Sequence, residues 1–172
     1  MSDPCEWSLC TTMRALAAGR VSRRELVAAS LERIGRWQPR INAFLRLDAD
    51  VARTEAARRD GLPPADPRPA LDGALLAHKD MFERAGRVAT CGSRAGHTVA
   101  ASRTATLLAR LDVAGALELG TLNMAEFALG PTGHNEALGD CRNPWNPAYV
   151  AGGSSSGSGA AVGARLVHAA LG

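Results

Sequence analysis

The run Gly152-Gly153-Ser154-Ser155-Ser156-Gly157-Ser158-Gly159 constrains this chain more than any other stretch. Side chains this small give a turn wide conformational freedom and let backbones approach closely. The small-residue run Ala160-Ala161-Val162-Gly163-Ala164 follows. The segment therefore predicts a turn feeding a tightly packed helix over 157–171. Unpaired N–H groups at such a helix start suit an anion or an oxyanion. A phosphate-cradling loop would end in Gly-Lys-Ser/Thr, and no lysine stands here. Hydroxyl chemistry fits these residues better.

Basic-residue usage points the same way. Of 20 Lys and Arg residues, Lys79 is the only lysine. An ammonium can lose its proton when desolvated, whereas a guanidinium effectively cannot. The apolar run Ala74-Leu75-Leu76-Ala77-His78 predicts a buried strand that delivers Lys79 at its C-terminal end. Ligands of open α/β sheets sit at that end. A lone lysine and a Gly-Ser loop together predict a lysine base acting on serine hydroxyls.

The rest of the chain frames these two features. A short helix is expected over 13–18, ended by Gly19. Ser22-Arg23-Arg24-Glu25 is a capping box, opening a helix that buries Leu26, Val27, Ser30, Leu31 and Ile34 and stops before Pro39. A strand over 41–45 and a helix capped by Asp48, running through Arg59 to Gly61, come next. The proline-rich stretch 62–70 reads as a linker between a helical region, 1–61, and an α/β region, 71–172. In the latter, a helix over 104–111 with Leu107, Leu108 and Leu111 on its apolar face precedes a strand over 114–119 ending at Gly120. The fold class is α/β: N-terminal helices, then part of a mixed or parallel sheet flanked by helices. Trp145, between two Asn-Pro pairs, is expected as a plug beneath the Gly-Ser loop.

Composition excludes several functions. Hydrophobic content of 46% and charged content of 22% are globular values. The net charge of +3 is mild, and pairs such as Arg23-Arg24 and Arg58-Arg59 fall on amphipathic helices, so no direct nucleic-acid partner is expected. Cys5, Cys10, Cys91 and Cys141 form no Cys-x-x-Cys pair, and their spacing with His78 and His134 matches no metal site. Cys91 has no basic neighbour to make it a nucleophile. The N-terminus lacks a signal-peptide pattern, and no apolar run approaches the ~20 residues of a membrane helix. A cytoplasmic protein with reduced thiols and no membrane partner is the expectation.

Several segments, in order, resemble the amidase signature family. They are Leu71-Asp72-Gly73, Ala77-His78-Lys79-Asp80-Met81-Phe82, Thr90-Cys91-Gly92-Ser93-Arg94 and Gly120-Thr121-Leu122-Asn123-Met124-Ala125-Glu126-Phe127, then Asn143-Pro144-Trp145-Asn146-Pro147 and Gly152 through Gly159. The resemblance implies hydrolysis or transfer of a carboxylic amide through a Ser–cis-Ser–Lys triad, without cofactor or metal. Lys79 would be the triad lysine and Ser154 the cis-serine. Met124, Gly152, Gly153 and Ser155 are assigned to the substrate site, as is Asn123, which reads equally as a turn residue. The implied substrate is a small-molecule amide.

In that family the nucleophilic serine follows within a Thr-Asp-Thr-Gly-Gly-Ser-like motif, and this sequence stops before one would begin. The expectation is the N-terminal portion of a single amidase domain, carrying the lysine and cis-serine but not the nucleophile, and inactive alone. A homodimer or a partner chain would supply the remainder. Two alternatives stand beside it: a relative of the A subunit of the Glu-tRNA(Gln)/Asp-tRNA(Asn) amidotransferases that works with partner subunits, or an inactive truncated remnant with a binding role. The chain departs from the pattern at Thr121, where Lys or Arg is common, at Glu118 in a usually apolar strand, and at Arg103-Thr104.

Overall fold

The computed structural model describes residues 3–63, 65–95 and 98–172. Pro64, within the expected linker, lies outside the described residues. Five helices and six strands form along the described chain, with short 3-10 turns at Pro4–Glu6 and Glu126–Ala128. The helices are α1 (Leu9–Ala17), α2 (Arg23–Ile41), α3 (Ala49–Asp60), α4 (Thr106–Val113) and α5 (Ser156–Gly163). The strands are β1 (Phe44–Leu47), β2 (Leu75–Lys79), β3 (Leu117–Leu122), β4 (Arg142–Asn143), β5 (Asn146–Val150) and β6 (Ala169–Leu171).

The main sheet has the order β1-β3-β2-β6. β2 runs parallel to both neighbours, and β1 is antiparallel to β3. All five residues of β2 are buried, which is why its sequence is an unbroken apolar run rather than an alternating one. β4 and β5 form a separate antiparallel hairpin. A mixed α/β architecture is thus what the pattern of apolar runs and helical periods predicts.

Helix α2 begins as the sequence requires: Ser22 Oγ accepts from Glu25 N, and Glu25 returns to the Ser22 backbone. Such a cap contributes about 1 kcal/mol. Leu26, Val27, Ser30, Leu31 and Ile34 are all buried, each apolar member being worth roughly 1.5–3 kcal/mol. The helix does not stop before Pro39 but continues to Ile41. Pro39 costs one backbone bond near the end of the helix, and the complete burial of Ile41 holds the last turn in place. Asn42, left-handed at φ 48°, then ends it. The following strand is displaced accordingly, to 44–47.

Three further boundaries differ from expectation. Asp48 sits at the start of α3 without capping it; its carboxylate instead meets Arg87 at 2.8 Å and Arg46 at 3.2 Å. Strand β3 runs through Gly120 rather than ending there, because β1 presses so close that a Cβ would lie 2.1 Å from Arg46 O. Gly120 serves the pairing, not the turn. Helix α5 ends at Gly163, well short of 171. Arg165 turns left-handed at φ 56°, Leu166 N returns to Ala161 O at 2.8 Å, and residues 169–171 pair with β2. An alanine-rich segment prefers a helix, but backbone pairing with a buried strand outranks that preference.

Side-chain placement also corrects two readings. On α4 only Leu108 is buried, while Leu107 is half exposed. Trp145, expected as a plug, is 89% exposed at the tip of the β4–β5 hairpin.

Candidate active site

Strand β2 ends at Lys79, and pleating sends alternate side chains to opposite faces. Lys79 takes one face and His78 the other. The Lys79 side chain is buried, and its amine donates to Ser154 Oγ at 2.8 Å and Ser155 Oγ at 2.9 Å. Among the described residues these two hydroxyls are its hydrogen-bond partners. Burial with no anionic partner holds the amine below the usual lysine range.

The Gly-Ser turn is fixed by backbone contacts on all sides. Ser154 follows a cis Gly153–Ser154 peptide bond. Gly153 N donates to Pro131 O at 2.7 Å, and Ala125 N donates to Ser154 O at 2.9 Å. Gly157 N donates to Asn123 O at 2.8 Å, an approach so close that a Cβ on Gly157 would lie 2.4 Å from Asn123 N. Ser158 Oγ donates to Leu171 O at 2.8 Å, which ties α5 to β6. Gly153 is exposed and Gly152, Ser154 and Ser155 are partly so, which leaves the hydroxyl pair at the surface of an otherwise closed region.

Asn123 and Met124 lie inside this region and are fully buried. The Asn123 amide donates to Asn42 O and Gly139 O, each at 3.0 Å, and its Oδ1 accepts from Met124 N at 2.7 Å. Its polar atoms thus brace the loop, in keeping with the turn reading. The structure brings Lys79, Ser154 and Ser155 together and sets Asn123 and Met124 beneath them.

Two groups escaped the sequence reading. Asp80 is buried, and its Oδ2 accepts from Thr90 N at 3.1 Å, Gly92 N at 3.3 Å and the Thr90 hydroxyl. It thereby clamps the 90–93 loop beside the end of β2. A carboxylate directly after the sole lysine is the signal that could have found it. On the opposite face, His78 meets Glu118, which is also paired with Arg84 and Arg87. Burial pushes the Glu118 carboxyl up, but contact with His78 and then the Arg84 and Arg87 charges outweigh it and hold the group down at about 2.

The Cys91 thiol is pushed up by burial and by the nearby Asp80, the opposite of what a nucleophile needs. Among the described residues no group of three or more His, Cys, Asp or Glu could hold a metal ion. No helix among them is long and apolar enough to cross a membrane.

Comparison with known proteins gives concordant matches. The Amidase family model matches residues 25–172. The A subunit of a glutamyl-tRNA(Gln) amidotransferase from Halorhodospira halophila is 44% identical over 158 residues, covering 92% of this chain and 33% of that protein. Among solved structures, a protein of a vestigial complex bearing on the origins of an s-triazine catabolic enzyme superposes with a TM-score of 0.85 at 38% identity. It covers 94% of this chain and 36% of its own. An amidase crystal structure gives 0.84 at 36% identity, with 96% and 38% covered. The chain spans about a third of the length of the curated relatives it matches.

Proposed function

The chain belongs to the amidase signature family, and from that premise we propose that it acts on the C–N bond of a carboxylic amide with Lys79 as the base and Ser154 as the proton relay. The observation that carries this reading is the buried Lys79 amine hydrogen-bonded to two serine hydroxyls, at 2.8 and 2.9 Å.

An amine held low by desolvation can be neutral at working pH. A neutral Lys79 takes a proton from Ser154 Oγ as that hydroxyl takes one from the attacking group. The proton then returns by the same route to the leaving nitrogen, which must be protonated to depart. Ser155 shares the amine and holds its direction. This reading assigns neither the nucleophilic hydroxyl nor the oxyanion donors to Lys79, Ser154 or Ser155. The substrate is a small amide, and no cofactor takes part.

A second reading is favoured by the 44% identity to the A subunit of an amidotransferase. In it the same pair releases ammonia from an amide for use by partner subunits. Hydrolysis of glutamine and of an anilide, by the chain alone and with candidate partner chains, tests both. Amide cleavage that disappears in Lys79→Ala and in Ser154→Ala supports the shared chemistry; cleavage that survives either substitution overturns it. Glutamine cleavage that needs a partner favours the amidotransferase reading.

A further inference from the structure

Behind β2, on the face away from the serines, lies a cluster of charge. Glu118 of β3 is its hub. Its carboxylate pairs with Arg84 and, at 2.8 Å, with Arg87. Arg84 reaches on to Asp112 of α4 at 2.5 Å, and Arg87 to Asp48 at 2.8 Å. His78, 2% exposed, turns Nε2 toward Glu118 Oε1 at 3.3 Å. That nitrogen is buried without a hydrogen-bond partner, so the contact is electrostatic and attracts when both ring nitrogens carry protons.

The other ring nitrogen faces Lys79. His78 Nδ1 lies 3.1 Å from Lys79 O, and a carbonyl oxygen only accepts, so Nδ1 donates. The imidazole therefore bridges a fixed carboxylate and the backbone of the residue that bears the amine. Lys79 is the last residue of β2. Beyond it one further ladder bond, Asp80 N to Leu122 O at 3.2 Å, joins the chain to β3, and Met81 N turns back to Lys79 O at 2.8 Å. Nothing in the sheet requires a carboxylate at 118, in a strand whose other residues are buried and uncharged.

We propose that Glu118, acting through His78, is a positioning residue for Lys79, fixing the strand end from which the amine reaches Ser154 and Ser155. The importance of that position rests on the reading of Lys79 as a base, but the test does not. Because Lys79 is the sole lysine, labelling with 13C,15N-lysine places one Cε–Nζ group in the NMR spectrum. Its titration can be followed without any activity.

A hydrogen bond to the ammonium form favours that form, so Ser154→Ala is expected to lower the Lys79 titration midpoint. In a Glu118→Gln background the same substitution is expected to leave the midpoint in place, because the amine no longer sits on that hydroxyl. Glu118→Asp keeps the charge and should retain part of the coupling. An equal response to Ser154→Ala in the parent and in Glu118→Gln overturns the proposal. Thermal melting of each variant separates this from unfolding. If Glu118→Gln does not fold, His78→Asn leaves the Glu118, Arg84 and Arg87 cluster whole, and loss or retention of the coupling there decides the matter. Loss of coupling in a chain that cleaves no amide in any assembly would uphold the positioning and overturn only the catalytic reading.

Discussion

The two faces of β2 place adjacent residues in opposite electrostatic worlds. Lys79 looks onto two neutral hydroxyls, and burial without a counter-charge holds its amine below the usual range. His78 looks onto Glu118, Arg84, Arg87 and their partners, where opposite charges hold a carboxyl at about 2. Burial acts in both places. A missing partner lets desolvation win at Lys79, while surrounding cations defeat it at Glu118. One face leaves its titratable group without a counter-charge, and the other surrounds its group with cations.

The most severe way to break this comparison is on the hydroxyl face. In an assembly that turns over an amide, Lys79→Arg is expected to lower kcat by about 10³-fold, since a guanidinium cannot serve as base. Thermal melting should change far less. Activity of the parent should fall as pH drops, when the amine takes up a proton. A rate unchanged by Lys79→Arg would remove the distinction between the faces.

Packing beside the serines comes next. Gly157→Ala puts a methyl 2.4 Å from Asn123 N and 2.5 Å from Ala43 O, both backbone atoms with little room to yield. A loss of about 3 kcal/mol or more is expected in urea unfolding. On the charged face, Glu118→Leu leaves Arg84 and Arg87 without their shared partner, with a cost of about 2–4 kcal/mol by the same measurement. The exposed Arg53–Asp50 pair, with side chains 58% and 97% exposed, provides the contrast: Arg53→Ala should leave the melting temperature unchanged within error.

The most gradual effects come with pH. The folded Glu118 carboxyl sits at about 2, below its value of about 4.3 in an unfolded chain. Its stabilisation is therefore present above about pH 4.3 and is lost as pH falls toward 2. His168 adds an earlier, shallower step. Its Nδ1 accepts from Leu75 N at 3.2 Å, its Nε2 meets Thr12 Oγ1 at 3.0 Å, and burial holds its proton affinity down. The unfolded chain takes that proton first, so stability begins to fall below about pH 6.5. Urea melts between pH 8 and pH 3 should show both steps. Glu118→Gln should shrink the lower one, to which Glu55, also held at about 2, contributes, and His168→Leu should remove the upper, whatever each costs at pH 8.

Much of the site could be read from residue types. A lone lysine after an apolar run, and serines between glycines, each carry their chemistry in their identity, and the chain brings them within 2.9 Å. The charged face could not be read so. Glu118 stood out as a misfit in a strand, but its partners Arg84, Arg87 and Asp48 are scattered along the sequence without a motif. Asn123 shows the same limit: its type suits a pocket or a brace equally, and only its full set of hydrogen bonds decides.

Residue pattern alone was enough for the α/β class, the capping box and buried face of α2, the burial of β2, and which residues could bear acid–base chemistry. These are local properties, set by side-chain type and by periods of a few residues. Three-dimensional packing was needed to see that α2 runs through Pro39, that Gly120 serves strand contact, that α5 yields to β6, and that Trp145 stands exposed. Each of those depends on a neighbour distant in sequence. A backbone group takes the partner that the assembled sheet offers, and a local preference of a few tenths of a kcal/mol per residue does not outweigh a buried hydrogen bond.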